Sequence, residues 1–218
     1  MNPTLAYLVN KYQLSYDDHT LMPVEIPNVG RNTLPEWLRE LDFKIGVEVG
    51  VAEGRYGAIL ASANPQMKFY GIDPWHPYEG GIDYMDEATF IKLYEKFQQV
   101  IAPYPNYEAI KELSMDSVKK FEDNSLDFVY IDANHSEPYI TQDITEWHKK
   151  VRVGGILSGH DYIRPANRGE KDFTCDVISA TNRFTQENNI RPWFILGLQA
   201  KHNGMIRDAT RSWMWVKT

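Results

Sequence analysis

The 218-residue chain has one cysteine, Cys175, which excludes an intramolecular disulfide framework and makes a reducing, cytoplasmic setting the expectation. No apolar run approaches the roughly 18 residues that a membrane-spanning helix needs. Residues 1–10 lack a charged leader followed by a long apolar stretch, which argues against a signal peptide. Basic residues are in the minority: 23 Lys and Arg against 30 Asp and Glu leave a net charge of −7, so neither nucleic acid nor membrane is expected as a partner. Internal repeats and low-complexity tracts are absent as well. What is plentiful is aromatic, with 13 Tyr, 9 Phe and 6 Trp, enough for a full core and for a pocket suited to a flat or sugar-like ligand.

Residues 1–32 carry prolines at 3, 23 and 27 and read as irregular, so 1–40 is expected to be an arm or cap on a main domain at 41–218. Thr33-Leu34-Pro35-Glu36 has the form of a capping box, and Leu34, Trp37, Leu38 and Leu41 follow at helical spacing. Strands are expected at 44–49, 67–72, 107–110, 126–131, 156–158, 193–198 and 212–216, with helices at 55–63, around 90–101, 115–121, after Pro138, and 172–188. A turn is expected at Val153-Gly154-Gly155, and a polar loop with Asn203-Gly204 separates the last two strands. This order predicts an α/β, Rossmann-like, seven-stranded and mostly parallel sheet, with one antiparallel strand and helices on both faces.

The most telling stretch is Glu48-Val49-Gly50-Val51-Ala52-Glu53-Gly54, an apolar strand breaking into a glycine-punctuated bend, followed about one crossover later by an apolar run ending on Asp73. Glycines at a strand's carboxyl end let the backbone approach a nucleoside, and an acid after the next strand takes the ribose hydroxyls. A nicotinamide-dependent oxidoreductase uses the same logic but prefers G-x-G-x-x-G, and Ala52 stands where its second glycine belongs. In a parallel sheet, residues 48–57, 73–75, 114–116 and 132–135 converge, each at the carboxyl end of a strand. The loop at 74–81, with Gly80-Gly81, is a candidate lid.

On residues 48–57, Tyr70-Gly71-Ile72-Asp73, Ser114-Met115-Asp116, 126–135 and 154–162, the chain resembles the class I S-adenosylmethionine-dependent methyltransferases. The likeness is to the branch with the catechol and macrocin-type O-methyltransferases, that is, methyltransferase family 24. It covers roughly 42–162, and residues 1–40 carry none of it. The resemblance implies S-adenosylmethionine as cofactor. Gly50, Val51, Gly54 and Tyr56 would then lie about its methionine part, Glu48 near its ammonium, Asp73 on its ribose, Trp75 or Met115 on its adenine, and Ser114 at the adenine edge, with Asp132 close by.

For catalysis it implies His135 as general base beside Asp132, and a divalent ion, Mg2+ or Mn2+, as an optional member held by Asp132, His160 and Asp161. His160 departs from the pattern, which has a carboxylate there, and imidazole is a poor ligand for Mg2+. The acceptor implied is a small molecule with a sugar or phenol hydroxyl. Each residue also has a plain reading: Glu48 a locally satisfied carboxylate, Asp73 a loop acid, Ser114 and Met115 helix-start residues, His135 a helix cap. A different class of function also stands, a nucleoside-binding protein of the same fold that methylates nothing, like the cephalosporin-hydroxylase-like proteins. Arg164, Arg168 and Lys171 either contact an anionic acceptor or form a solvated loop, and the amino-terminal arm could be exchanged in a homo-oligomer.

Overall fold

The structure, a computed structural model, describes residues 2–81, 86–164, 174–197, 208 and 210–218. Its centre is set by β5 (Leu126–Ile131), whose six residues are all buried, so the strand reads as an unbroken run rather than an alternating one. β2 (Ile45–Val49) and β6 (Val151–Gly159) flank it in parallel, and β3 (Lys68–Ile72) and β4 (Tyr107–Ile110) continue the sheet beyond β2. On the other side β8 (Trp213–Val216) runs antiparallel between β6 and β7 (Phe194–Leu196), as the two consecutive closing strands lead one to expect.

The sheet separates two apolar layers. In one, Leu60 of α3 (Arg55–Ala63) and Phe97 of α4 (Glu87–Ile101) pack with Phe69, Phe128 and Tyr130. In the other, Ile144 and Trp147 of α6 (Tyr139–Lys150) and Val177 of α7 (Val177–Glu187) pack with Val129, Leu157 and Trp213. Cys175 is buried in this second layer.

The amino-terminal segment departs from its expected irregularity. α1 (Pro3–Tyr12) starts on Asn2, whose side chain accepts the Thr4 N–H at 2.9 Å, and buries Leu5 and Leu8. β1 (Val24–Ile26) then pairs in parallel with β7, which makes the sheet eight-stranded in the order β1-β7-β8-β6-β5-β2-β3-β4. A three-residue strand between two prolines has no periodicity to read, because its partner lies about 170 residues away in sequence.

Other boundaries shift for local reasons. Thr33 does not cap α2 (Leu34–Glu40) from its side chain. It accepts instead from the Gly30 N–H at 3.3 Å, around a 3-10 turn at Arg31–Thr33. The turn expected at 153–155 is a bulge within β6, where the register jumps from Leu126↔Val151 to Phe128↔Ile156 and Gly154 takes φ +83°. The helix expected at 115–121 is α5 (Ser114–Ser117) followed by a 3-10 turn at Val118–Lys120. Arg168, Lys171 and the Asn203-Gly204 loop lie outside the described residues, as does residues 172–173 at the start of the expected seventh helix. Among the described residues no helix is long and apolar enough to cross a membrane.

If β1 belongs to the core sheet, Ile26→Ala, at a side chain with no exposed surface, lowers the unfolding free energy by about 2–4 kcal/mol in urea titration. A change near zero would mean that the segment is a loosely attached arm.

Candidate active site

Because β2, β3, β5 and β6 are parallel, the residues that follow them meet along one edge of the sheet. The bend after β2 has three positive φ angles, at Gly50 (+86°), Ala52 (+49°) and Gly54 (+75°). At Gly50 a side chain is excluded twice over: by φ, and because a Cβ there would lie 2.2 Å from the Asp132 carbonyl oxygen. The Asp132 N–H in turn donates to the Val49 carbonyl at 2.7 Å, so the ends of β2 and β5 are locked together.

Asp73 holds this bend from the next strand. Its Oδ2 accepts the Val51 and Ala52 N–H groups at 3.0 and 2.9 Å, and its Oδ1 accepts the Trp75 N–H at 2.8 Å. Burial raises the pKa of Asp73, while the three amides pull it back down.

A cavity of about 920 Å³ opens beside the bend. Of the residues expected in the site, Glu48, Gly50, Val51, Tyr56, Asp73, Ser114, Met115, Asp132, His135 and Asp161 line it, whereas Gly54, Trp75 and His160 stand behind the wall. Gly54 acts structurally, opening α3 where a Cβ would meet the Phe97 ring at 2.7 Å. The expectation for Trp75 is corrected. Its φ of +43° turns the indole away from the cavity, into the core between Tyr94 and Phe97, where its Nε1–H donates to the Ala52 carbonyl at 2.9 Å. Of the two residues offered for a flat ring, Met115 is the one at the cavity.

Two further cavity carboxyls, besides Asp73, are pushed upward by burial. Glu48 reaches a pKa of about 8, mainly by burial, with the Tyr107 hydroxyl donating to it at 2.5 Å and Asp132 adding repulsion. Gly57 and Gly71 leave the room for this pair, since a Cβ at Gly71 would lie 2.1 Å from the Tyr107 oxygen. Asp143 on α6 reaches about 7 through burial, opposed by the Ser114 hydroxyl that donates to it, while the Trp147 Nε1–H donates to Ser114 at 2.9 Å. Asp143 was missed in the sequence, although an acid on the apolar stripe of Ile140, Ile144 and Trp147 is a readable signal.

Around Asp132, His135 and Asp161 the cavity wall carries a cluster of charges. His135 Nδ1 stands 3.7 Å from Asp161 Oδ2. His160 Nδ1 stands 3.6 Å from Asp132 Oδ1 and 3.5 Å from Asp161 Oδ1, and its Nε2 lies 3.1 Å from Asp208 Oδ1. Burial opposes charging of His160, but the surrounding carboxylates raise its pKa well above the usual value. Asp161 is likewise disfavoured by burial and yet held low by its histidine neighbours and Thr210. Arg31, which nothing in the sequence pointed to, reaches in from the turn before α2 and places Nη1 3.1 Å from Asp132 Oδ2.

Asp132, His160 and Asp161 each bring one donor atom within 4.8 Å of the others, so a trio for a cation exists. Its chemistry does not fit Mg2+: one donor is an imidazole, and the second oxygen of Asp132 is held by a guanidinium. The lid loop is also more tied than expected over its described part, with Gly80 and Glu79 carbonyls accepting from Asn134 Nδ2 at 2.7 Å and the Tyr139 hydroxyl at 2.9 Å.

With this geometry in view, residues 47–162, more than half of the chain, match a family model described as a methyltransferase domain. No curated protein sequence matches the chain. Among solved structures, an O-methyltransferase from Bacillus cereus in complex with SAH is similar at 15% identity and a TM-score of 0.59, covering 100% of this chain and 92% of that one. The O-methyltransferase TomG from Streptomyces achromogenes, in complex with SAM, is similar at 12% identity and a TM-score of 0.59, covering 100% and 91%. An rRNA methylase from Streptococcus thermophilus is similar at 16% identity and a TM-score of 0.53, covering 85% and 94%. At these identities the likeness is one of fold, and the fold serves more than one kind of acceptor.

The raised pKa of Glu48 has a consequence for stability. Folding favours its protonated form, so the gain is complete below the free value of 4.5 and is lost as pH rises toward about 8. Relative to Glu48→Gln, the wild type should therefore lose stability across that window, by up to about 1.4 kcal/mol per pH unit in denaturant titrations. A difference that stays constant from pH 5 to pH 8 would show that Glu48 is not protonated on folding.

Proposed function

Because the chain belongs to the methyltransferase family whose domain spans residues 47–162, we propose that it transfers a methyl group from S-adenosylmethionine to the hydroxyl of a small sugar or phenol. The observation that carries this reading is the pinned bend at Gly50. The missing Cβ lets the bend pack directly on the Asp132 carbonyl, and this sets Gly50, Val51 and Ala52 along the cavity wall together with Glu48 and Asp73.

S-adenosylmethionine, when bound, supplies an electrophilic methyl group on a sulfonium. Glu48 would hold its ammonium, giving up its proton as the cation arrives, because the buried carboxylate gains the counter-charge it lacks. Asp73 would take a ribose hydroxyl on Oδ1, where its three backbone donors leave one of about four acceptor sites open. Met115, with the Ser114–Asp143 pair, would border the adenine. The cavity end at Asp132 and His135 is left for the acceptor.

There His135 would take the acceptor's hydroxyl proton onto its imidazole, with Asp161 Oδ2, 3.7 Å from Nδ1, stabilising the positive charge that forms. The acceptor oxygen takes the methyl carbon as the carbon–sulfur bond breaks and its electron pair stays on sulfur. His135 then loses the proton to solvent. Positioning supplies the larger share of the acceleration, and a base of this kind about 10²–10⁴-fold.

The test begins without an acceptor. Mass spectrometry of protein purified under gentle conditions should find bound S-adenosylhomocysteine, and calorimetry should give a dissociation constant weakened about 100-fold in Asp73→Ala. With an acceptor drawn from a panel of sugars and phenols, His135→Ala should lower kcat about 10²–10⁴-fold while leaving S-adenosylhomocysteine affinity unchanged. Wild-type protein that binds no S-adenosylhomocysteine would refute the function, and an active His135→Ala would refute the base.

A further inference from the structure

We infer that Arg31, beside His160, supplies resident positive charge at the acceptor end of this cavity, standing where a divalent ion would otherwise neutralise the carboxylates, so that methyl transfer here needs no metal. The inference rests on reading the cavity as a methyltransferase site, and it concerns a residue from the segment before the matched domain.

Asp132, Asp161 and Asp208 converge on one small region, and Asp161 is almost wholly buried. Carboxylates so placed need counter-charge, from an ion or from the chain itself. Arg31 meets two of them. Its Nη1 lies 3.1 Å from Asp132 Oδ2, its Nε 3.7 Å from Asp208 Oδ1, and its backbone N–H donates to Asp208 Oδ2 at 3.1 Å.

The guanidinium does not dangle there. The Arg31 carbonyl accepts the Tyr56 hydroxyl at 2.9 Å, the guanidinium carbon sits 5.7 Å from the centre of the Tyr56 ring, and the 3-10 turn at Arg31–Thr33 fixes the backbone. An arginine keeps its charge at every working pH and matches a carboxylate's geometry, so it is a permanent substitute for an ion. A dication drawn to Asp132 Oδ1, His160 Nδ1 and Asp161 Oδ1 would face this guanidinium across a single carboxylate. Arg31 also lines the cavity, so its charge is within reach of an acceptor oxygen as that oxygen loses its proton.

The probe is Mn2+ itself, titrated into metal-free full-length protein and followed by electron paramagnetic resonance and calorimetry. Wild type and Arg31→Lys, which keeps the charge, should take up no Mn2+ below about millimolar concentration. Arg31→Ala should acquire a site, with affinity raised by about tenfold or more, and Arg31→Gln serves as the second variant should the alanine protein fold poorly. Wild type that binds Mn2+ in the micromolar range overturns the inference, and so do alanine and glutamine variants that bind it no more tightly than wild type does. S-adenosylhomocysteine affinity is measured on the same samples: its absence in wild type would refute the proposed function, whereas the Mn2+ result bears on Arg31 alone.

Discussion

The arrangement depends on one carboxylate. Residues 50–54 cannot satisfy their backbone as helix or as sheet, because Gly50, Ala52 and Gly54 all have positive φ, so the amides of Val51 and Ala52 would be orphaned in a half-buried place. Asp73 takes both, and the Trp75 amide as well. Hydrogen bonds to a charged group are worth about 1.5–3 kcal/mol each, which offsets part of the cost of burying the acid and of the strain of about 1–3 kcal/mol at the non-glycine Ala52. Since Asp73 ends β3 and the bend ends β2, the same three bonds set the relative position of two strand ends. Asp132, which follows β5, is tied to the end of β2 as well, and the cavity opens beside these joined strand ends.

That dependence explains which parts could be read from sequence. β2, α3, β3, β5 and α6 announce themselves by runs and periods contained within each segment, and the structure places them within a residue or two of expectation. The antiparallel insertion of β8 followed from two strands in succession. Glu48, Gly50 and Asp73 stood out as candidates because a glycine bend and an acid at neighbouring strand ends mark the open edge of a parallel sheet, and all three line the cavity. What escaped was whatever is decided at a distance. β1 is a strand only because Phe194–Leu196 is there to pair with it. Trp75 followed the key acid and looked like a ligand contact, but one positive φ sent its ring into the core. Arg31 belongs to a segment with no motif, and only the fold brings it to Asp132.

The cavity holds two kinds of carboxyl group, and their partners separate them. Glu48 and Asp143 are bonded to hydroxyls, of Tyr107 and Ser114, and burial drives their pKa values to about 8 and about 7. Asp161 is buried too, yet histidine neighbours hold its pKa low. Burial is thus a shared condition, and how directly a cation meets the carboxyl group decides the outcome. Asp161 has imidazoles against it, whereas at Glu48 the attraction of Arg31 is opposed by the repulsion of Asp132, and burial prevails.

A ligand that brings its own positive charge gains most beside Glu48, where its arrival turns a reluctant acid into an ion pair. Beside Asp132 and Asp161, where Arg31 and His160 already stand, a further cation gains less. An S-adenosylmethionine molecule and a hydroxyl acceptor differ in this way, the one cationic at its ammonium and sulfonium and the other uncharged until it reacts. On the proposed reading, charge alone would draw the ammonium of S-adenosylmethionine toward Glu48, before any shape-specific contact is considered.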